Sequence, residues 1–183
     1  MERKYALLSV ESNIENVNTI KHMLATEAVM IALAKRLGED EDEWSTTGLI
    51  HDVDVELTED DPHSHSTLGA DMARDMGAGE AVAKAILCHN HEHGIPCVTP
   101  MEKALYAADP LTGLITASVM IRPDQKIAGL TLDSLKKRYD EKRFAAGANR
   151  DQIATCSTLG IELDDFLEIG LTTMQADADQ LGL

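Results

Sequence analysis

Residues 17–38 read VNTIKHMLATEAVMIALAKRLG, and this stretch predicts the fold class. Its apolar residues recur at steps of three and four, which is the spacing of one helix face: Val17, Ile20, Leu24, Ala28 and Ile31. Leu33 and Leu37 add a second apolar face, so we expect this helix to be buried on more than one side. Gly38 then ends it, because glycine readily adopts the left-handed conformation found at helix C-termini.

Helix signals of the same kind continue along the chain, and no strand, repeat or linker is convincing. The acidic run 39–43 suits the first turn of a helix that ends near His51, because the helix dipole favours negative charge there. Asp61-Pro62 predicts a second start, with a helix running to Met76. Further helices are predicted over residues 80–89, 99–120, 132–139, 150–159 and 164–181. These signals predict an all-α domain of six to nine helices, with a capping box at the start of 99–120 and a kink at Pro110.

Composition excludes some classes of function. The chain has 183 residues, of which 44% are hydrophobic and 26% charged, as in ordinary globular proteins. Its 16 Lys and Arg against 32 Asp and Glu give a net charge of −16. Such a surface repels nucleic-acid backbones and anionic membranes, so we expect neither as a primary partner. A small phosphorylated ligand is compatible, because a bound metal inverts the field locally.

The cysteines and the apolar runs predict a cytoplasmic protein. Three cysteines without a pattern do not form a disulfide framework. The apolar run at residues 6–8 is too short for a signal peptide, and residues 104–120 contain Asp109 and Pro110 and are no membrane span. The oligomeric state is left open.

The histidines are confined to one half of the chain: His22, His51, His63, His65, His89, His91 and His93. Such clustering is typical of metal ligation or acid–base chemistry, although a chance cluster of surface histidines is the alternative. His22 lies mid-helix on a largely apolar face, where it needs either a metal or a carbonyl as partner. His51 and Asp52 follow an apolar segment, and both reach one ion only near a helix end.

Asp109 is the fourth residue that its context singles out. It lies on a long apolar helix, where a carboxylate is costly unless it is paired or bound to metal, or caps a helix end before Pro110. Two imidazoles and two carboxylates suit a divalent transition metal with open positions for water and substrate.

The order of these residues resembles the HD superfamily of metal-dependent phosphohydrolases. The segment 49–54, LIHDVD, resembles the HDIG variant of the motif, and 65–70, HSTLGA, resembles the segment that usually follows it. Residues 85–89, AILCH, and 103–109, KALYAAD, resemble the remaining motifs, and the likeness covers roughly residues 15–120. The resemblance implies an all-α HD fold, with residues 1–122 as the HD domain and 123–183 as a C-terminal helical extension packed on the same domain.

The resemblance also implies a site. It implies His22, His51, Asp52 and Asp109 as ligands of a divalent cation (Mn, Fe, Ni, Zn or Mg), and His65 and His89 either as ligands of a second ion or as supports for the first set. The cyclic-di-GMP phosphodiesterase branch has a Lys where this chain has Val55, and a second His where it has Asn90. We therefore do not predict cleavage of a cyclic dinucleotide.

The predicted reaction is hydrolysis of a small phosphate ester, with a nucleoside monophosphate as the first substrate to try. Asp52 would bridge metal and water, and Asp54 or Glu56 would take the proton of the water, unless both are solvated acids of an acidic loop. The cations available for the phosphate are few: Lys84, Lys103, Arg122 and Lys126. Of these, Arg122 and Lys126 are expected to fold back over the site.

Two rival interpretations remain. The first is a non-catalytic regulatory module of the same fold that binds a nucleotide or a protein partner. The second is a structural metal site, against which the carboxylate-rich ligand set argues. His91 and His93 are expected to lie at the surface or to support the ligands, and His63 is expected to be a loop residue.

Overall fold

The computed structural model describes all 183 residues, Met1 to Leu183, and it contains helices but no β-strand. The ten α-helices are α1 (Arg3–Asn13), α2 (Val17–Leu37), α3 (Glu41–Ile50), α4 (Thr67–Asp75), α5 (Glu80–His89), α6 (Pro100–Met120), α7 (Leu132–Asp140), α8 (Arg150–Ala154), α9 (Leu163–Ala176) and α10 (Ala178–Leu181). Three short 3-10 turns lie at His91–His93, Ile127–Gly129 and Thr155–Leu159. The all-α class is confirmed, with more helices than the six to nine expected.

Helix α2 lies at the centre of the molecule, as its two apolar faces predict. It packs against α3 and α6, and α9 covers it as well. Met23, Val29 and Leu33 are fully buried along it. Gly38 ends the helix with a φ of +76°, which glycine adopts without the steric penalty of a Cβ.

Helix α3 positions the first motif. Asp40 caps it by accepting a hydrogen bond from the Glu43 N–H, so the acidic run is a helix start as predicted. The helix ends at Ile50, and His51 follows as its C-terminal cap. His51 and Asp52 therefore lie where the chain leaves the helix, which lets the two side chains approach one point.

The helix predicted to begin at Asp61-Pro62 begins later, at Thr67. The Asp54 carboxylate accepts hydrogen bonds of 2.8 Å from the N–H groups of both Ser66 and Gly69. A side chain distant in sequence thus caps α4, and residues 51–66 form a series of turns instead of a helix. A Cβ on Gly69 would lie 2.9 Å from an Asp54 oxygen, so this capping contact requires glycine.

Helix α6 carries the last motif across the core. Thr99 and Glu102 form the predicted capping box at its start. The helix continues through Pro110 to Met120, so Asp109 lies inside the helix and does not cap an end.

Other differences concern the ends of the chain. Helix α1 was not predicted, and it is fixed by the burial of Ala6 and Val10 and by an ion pair between Arg3 and Glu27. The predicted helix 150–159 becomes α8 and a 3-10 turn, and the predicted helix 164–181 is divided between α9 and α10.

Residues after 122 pack on the same core as the residues before it. Helix α9 lies on α2 and α6, and buries Phe166, Leu171 and Met174 there. No helix combines the length and the apolar character needed to cross a membrane.

Candidate metal centre

The four residues predicted as metal ligands converge on one point. His22 comes from the middle of α2, His51 and Asp52 from the end of α3, and Asp109 from the middle of α6. His22 Nε2 lies 3.0 Å from Asp109 Oδ1 and 3.6 Å from Asp52 Oδ2. His51 Nε2 lies 3.4 Å from Asp52 Oδ2 and 3.8 Å from Asp109 Oδ1. Three distant segments therefore bring two imidazoles and two carboxylates together.

His65 and His89 complete the cluster on the other side of Asp52. Their Nε2 atoms lie 3.5 Å and 3.2 Å from Asp52 Oδ1. Each oxygen of the Asp52 carboxylate thus faces a different pair of imidazoles. This arrangement suits a carboxylate that lies between two cation positions.

All four imidazoles are anchored through Nδ1. The acceptors are the carbonyl oxygen of Gly48 for His51 (2.8 Å), that of Ile86 for His89 (2.6 Å), the Thr112 hydroxyl for His22 (3.1 Å) and the Asp54 carboxylate for His65 (3.1 Å). With a proton on Nδ1, the neutral imidazole presents the Nε2 lone pair to the centre of the cluster. Anchoring of this kind fixes the ring and the tautomer of histidines that bind metals.

The cluster fits a divalent metal because the atoms that face its centre have no hydrogen-bond donor among them. His51 Nε2 is fully buried and has no hydrogen-bond partner. Its neighbours are carboxylate oxygens, which also accept and do not donate. Two sets of side chains have potential metal-ligand atoms within 4.8 Å of one another. The first set is His22, His51 and Asp109, and the second is His51, Asp52 and His89. A cation satisfies this orphaned nitrogen and the negative charge together.

The electrostatics of the metal-free cluster show how strongly it attracts positive charge. Burial disfavours ionisation of His89, but the hydrogen bond and the charge of Asp52 outweigh burial and raise its pKa to about 9. Burial likewise opposes charge on His22, and Asp109 overcomes it and raises the pKa. Despite burial, the imidazoles hold the pKa of both Asp52 and Asp109 well below the usual range. The two carboxylates therefore stay ionised, and protons occupy the cluster when metal does not.

A cavity of about 490 Å³ opens onto this cluster. Its lining includes four residues of the cluster, namely His22, His65, His89 and Asp109. The rest of its lining includes the polar side chains of Asn90, His91 and Gln152 together with Ala145, Gly147 and Ala148. No Lys or Arg lines it.

The family model of the HD domain matches residues 19–120, more than half of the chain and the part that supplies every residue of the cluster. The chain belongs to the HD domain family. HD domains bind divalent metals, which agrees with the donor set of the cluster. The matched range begins within α2 and ends with α6, so the core of the HD domain is the bundle that carries the site.

Several bacterial proteins named Ribonuclease Y are similar to part of this chain. The protein from Thermotoga maritima is 28% identical over 137 residues, which are 73% of this chain and 27% of that protein. The one from Oleidesulfovibrio alaskensis is 28% identical over 96 residues, 52% of this chain and 18% of that protein. The one from Protochlamydia amoebophila is 35% identical over 75 residues, 41% of this chain and 14% of that protein. This chain thus spans about a quarter or less of the length of these relatives.

The two acids predicted as proton acceptors do not line the cavity. Asp54 is fully buried, and its oxygens are occupied by His65 and by the start of α4. Glu56 accepts hydrogen bonds from the N–H groups of Glu15 and Asn16, at the turn before α2. Their placement gives Asp54 a role in orienting His65 and gives Glu56 a role in joining α1 to α2.

None of the four cations predicted for phosphate binding lines the cavity. Lys84 lies 3.6 Å from Glu102 on the outside of α5. Arg122 pairs with Asp124 at 3.0 Å, and Lys126 is exposed in the same turn. The chain after α6 therefore does not fold Arg122 and Lys126 back over the site, because the Asp124 carboxylate holds Arg122 within its own turn.

The other histidines fall into three positions. His63 is exposed in the turns before α4, and His93 Nε2 lies 2.7 Å from the carbonyl oxygen of His65. His91 is exposed, as expected, and it also lines the cavity. Sequence reasoning missed Thr112, although its position one turn after Asp109 on the same face of α6 is a signal for a residue that supports the cluster.

Proposed function

We propose that this HD domain is a metal-dependent phosphohydrolase that acts on a small phosphate ester. The observation that carries the proposal is the cluster around Asp52, in which four anchored imidazoles and Asp109 surround one carboxylate and leave a buried nitrogen of His51 without a partner. The cavity that opens onto the cluster argues against a structural metal site, because structural metal sites are closed.

The residues of the site would have separate roles in this reaction. His22, His51, Asp52 and Asp109 would hold one cation, and His65 and His89 would hold a second one with Asp52 between them. A cation bound there supplies Lewis-acid activation of the phosphate and of the attacking water. Asn90 and Gln152 offer amide groups in the cavity wall that can orient an ester. His91 lines the same cavity and would exchange a proton with the leaving group.

A small substrate is favoured over a long polyanion. The net charge is −16, and no Lys or Arg lines the cavity, so electrostatic attraction for a nucleic-acid backbone is weak. Cleavage of an RNA phosphodiester is the second candidate, because the relatives are named Ribonuclease Y. A short oligoribonucleotide therefore belongs in the substrate set.

The test combines metal analysis with turnover. The protein is loaded separately with Mn, Fe, Ni, Zn and Mg, and assayed on nucleoside monophosphates, a chromogenic phosphomonoester, a chromogenic phosphodiester and a short oligoribonucleotide. We expect turnover of a small ester, and loss of both metal and turnover in His51→Ala. His63→Ala is the matched control, because His63 is exposed and lies outside the cavity.

Each other result has a defined meaning. Stoichiometric metal without turnover on any substrate favours the regulatory module, and turnover of the oligoribonucleotide alone favours the RNA candidate. Full metal content in His51→Ala would overturn the ligand assignment and with it the proposed reaction.

A further inference from the structure

A second cavity, of about 320 Å³, adjoins the catalytic one. The two share His91 as a common wall residue. Its other polar lining side chains include Lys103, Tyr106, Thr155 and Thr158. A ligand held at the metal cluster can therefore extend past His91 into this side cavity.

Lys103 differs from the other cations predicted for phosphate binding. Lys84 and Arg122 are paired with carboxylates, whereas Lys103 forms no ion pair and lines the side cavity. The neighbouring Glu102 is already engaged by the N–H groups of Val98 and Thr99 and by Lys84. The positive charge of Lys103 is thus available to a ligand, in a chain whose net charge is −16.

One face of α6 serves both cavities. Lys103, Tyr106 and Pro110 follow one another at steps of three and four, and Asp109 lies beside Pro110. Lys103 and Tyr106 line the side cavity, and Asp109 and Pro110 line the catalytic one. At a rise of 1.5 Å per residue, the backbones of Lys103 and Asp109 are about 9 Å apart along the helix axis.

We infer that the side cavity is an anion subsite, in which the Lys103 ammonium and the Tyr106 hydroxyl bind a second phosphate group of the substrate. Neither group has a hydrogen-bond partner in the protein, and both are donors that suit phosphate oxygens. The inference rests on the proposed function for the position of the first phosphate. It names the substrate class as esters that carry two phosphates separated by a spacer about as long as a sugar, in contrast to simple monophosphates.

The experiment compares two probes that differ by one phosphate. Adenosine 3′,5′-bisphosphate and adenosine 5′-monophosphate are titrated calorimetrically into metal-loaded wild type, Lys103→Ala, Lys103→Arg and Lys137→Ala. Lys137 is an exposed, unpaired lysine on α7 that lines neither cavity, so it controls for the loss of one charge.

We expect Lys103→Ala to weaken binding of the bisphosphate roughly 10- to 100-fold, the range of a hydrogen bond to a charged group. Binding of the monophosphate should stay unchanged, Lys103→Arg should recover part of the loss, and Lys137→Ala should bind both probes as wild type does. Equal losses for both probes, or a bisphosphate that binds wild type no more tightly than the monophosphate, would overturn the subsite. Since the readout is binding, an absence of turnover would count against the proposed function and leave this result intact.

Discussion

At the scale of single residues, the decisive feature is the atom that each histidine presents. Thr112 fixes the His22 ring, since its hydroxyl lies 3.1 Å from His22 Nδ1 and donates to the carbonyl oxygen of Asp109 at 2.9 Å. It can therefore accept a hydrogen bond from His22 Nδ1–H and keep Nε2 free for a cation. A ligand whose supporting hydrogen bond is lost binds metal less well even when every ligand is present.

We predict that Thr112→Val lowers metal affinity by about 10- to 100-fold, because the His22 ring loses its anchor. Competition with a chromogenic chelator measures the affinity. Thr172→Val is the control, since that hydroxyl is exposed on α9 and bonds only its own helix backbone. Unchanged affinity in a folded Thr112→Val protein would contradict the anchoring role.

Metal binding should release protons, because metal and protons compete for the same nitrogens. In the metal-free protein Asp52 raises the pKa of His89 to about 9, so His89 carries a proton at neutral pH. The cation must displace it, and the apparent affinity should fall as pH decreases below about 9, by about tenfold per pH unit for each proton displaced.

Calorimetry in buffers of different ionisation enthalpy counts the released protons. An affinity that stays constant between pH 6 and pH 9 in such buffers would show that His89 does not take part. His89→Gln should reduce the number of protons released, because the raised pKa belongs to the imidazole facing Asp52.

At the scale of elements, the close approach of α2 and α3 places the first motif. Gly48 permits it, because a Cβ there would lie 2.7 Å from the Cα of Glu27 and 2.8 Å from its nitrogen. The carbonyl oxygen of the same glycine anchors His51 at 2.8 Å. The packing of α2 against α3 and the orientation of His51 thus both depend on Gly48.

We predict that Gly48→Ala destabilises the protein by about 1–3 kcal/mol, since backbone atoms cannot yield as a flexible side chain can. It should also weaken metal binding. Gly113→Ala is the matched control within a helix: nothing lies within 4 Å of its Cβ position, so the variant should gain about 0.5–1 kcal/mol from helix propensity. Thermal unfolding measures both, and equal shifts in the two variants would contradict the packing argument.

Helix ends could be predicted from the sequence wherever the signal is local. Gly38, the acidic run 39–43 and the Thr99 capping box each act within their own helix end, and all three were predicted correctly. The start of α4 was not, because its cap is the Asp54 side chain, twelve residues before Ser66, and no local pattern reports such a contact.

For the site, too, residues could be predicted where the signal lies in a local motif and could not be predicted where it depends on distant contacts. The order of motifs predicts which histidines and aspartates belong together, and the structure places six of them around one point. The direction of the chain after α6 depends on packing and on the pairing of Arg122 with Asp124, which the motifs do not encode. The cations were therefore misplaced, while the residues of the cluster were found.

At the scale of the whole molecule, one hydrophobic core joins the residues before and after position 122. Leu111 and Ile115 of α6 belong to the same core cluster as Phe166, Leu167 and Leu171 of α9. A Cβ on Gly170 would lie 2.7 Å from a Leu111 methyl group, which shows how closely α9 approaches α6. The later residues also line the cavity beside the histidine and aspartate cluster, through Ala148 and Gln152.

We predict that Phe166→Ala lowers the free energy of unfolding by about 3–5 kcal/mol for the whole chain at once. Trp44, the single tryptophan, is buried in α3, so its fluorescence reports the first part of the chain, while circular dichroism reports all helices. In one cooperative unit both probes shift to the same lower denaturant concentration. Phe144→Ala is the matched control, because this phenylalanine is only half-buried beside Arg138 and should shift both midpoints less. If Phe166→Ala left the Trp44 transition in place and moved only the circular dichroism transition, the residues after 122 would unfold as a separate unit. Their part in the cavity wall would then be lost without loss of the cluster of histidines and aspartates.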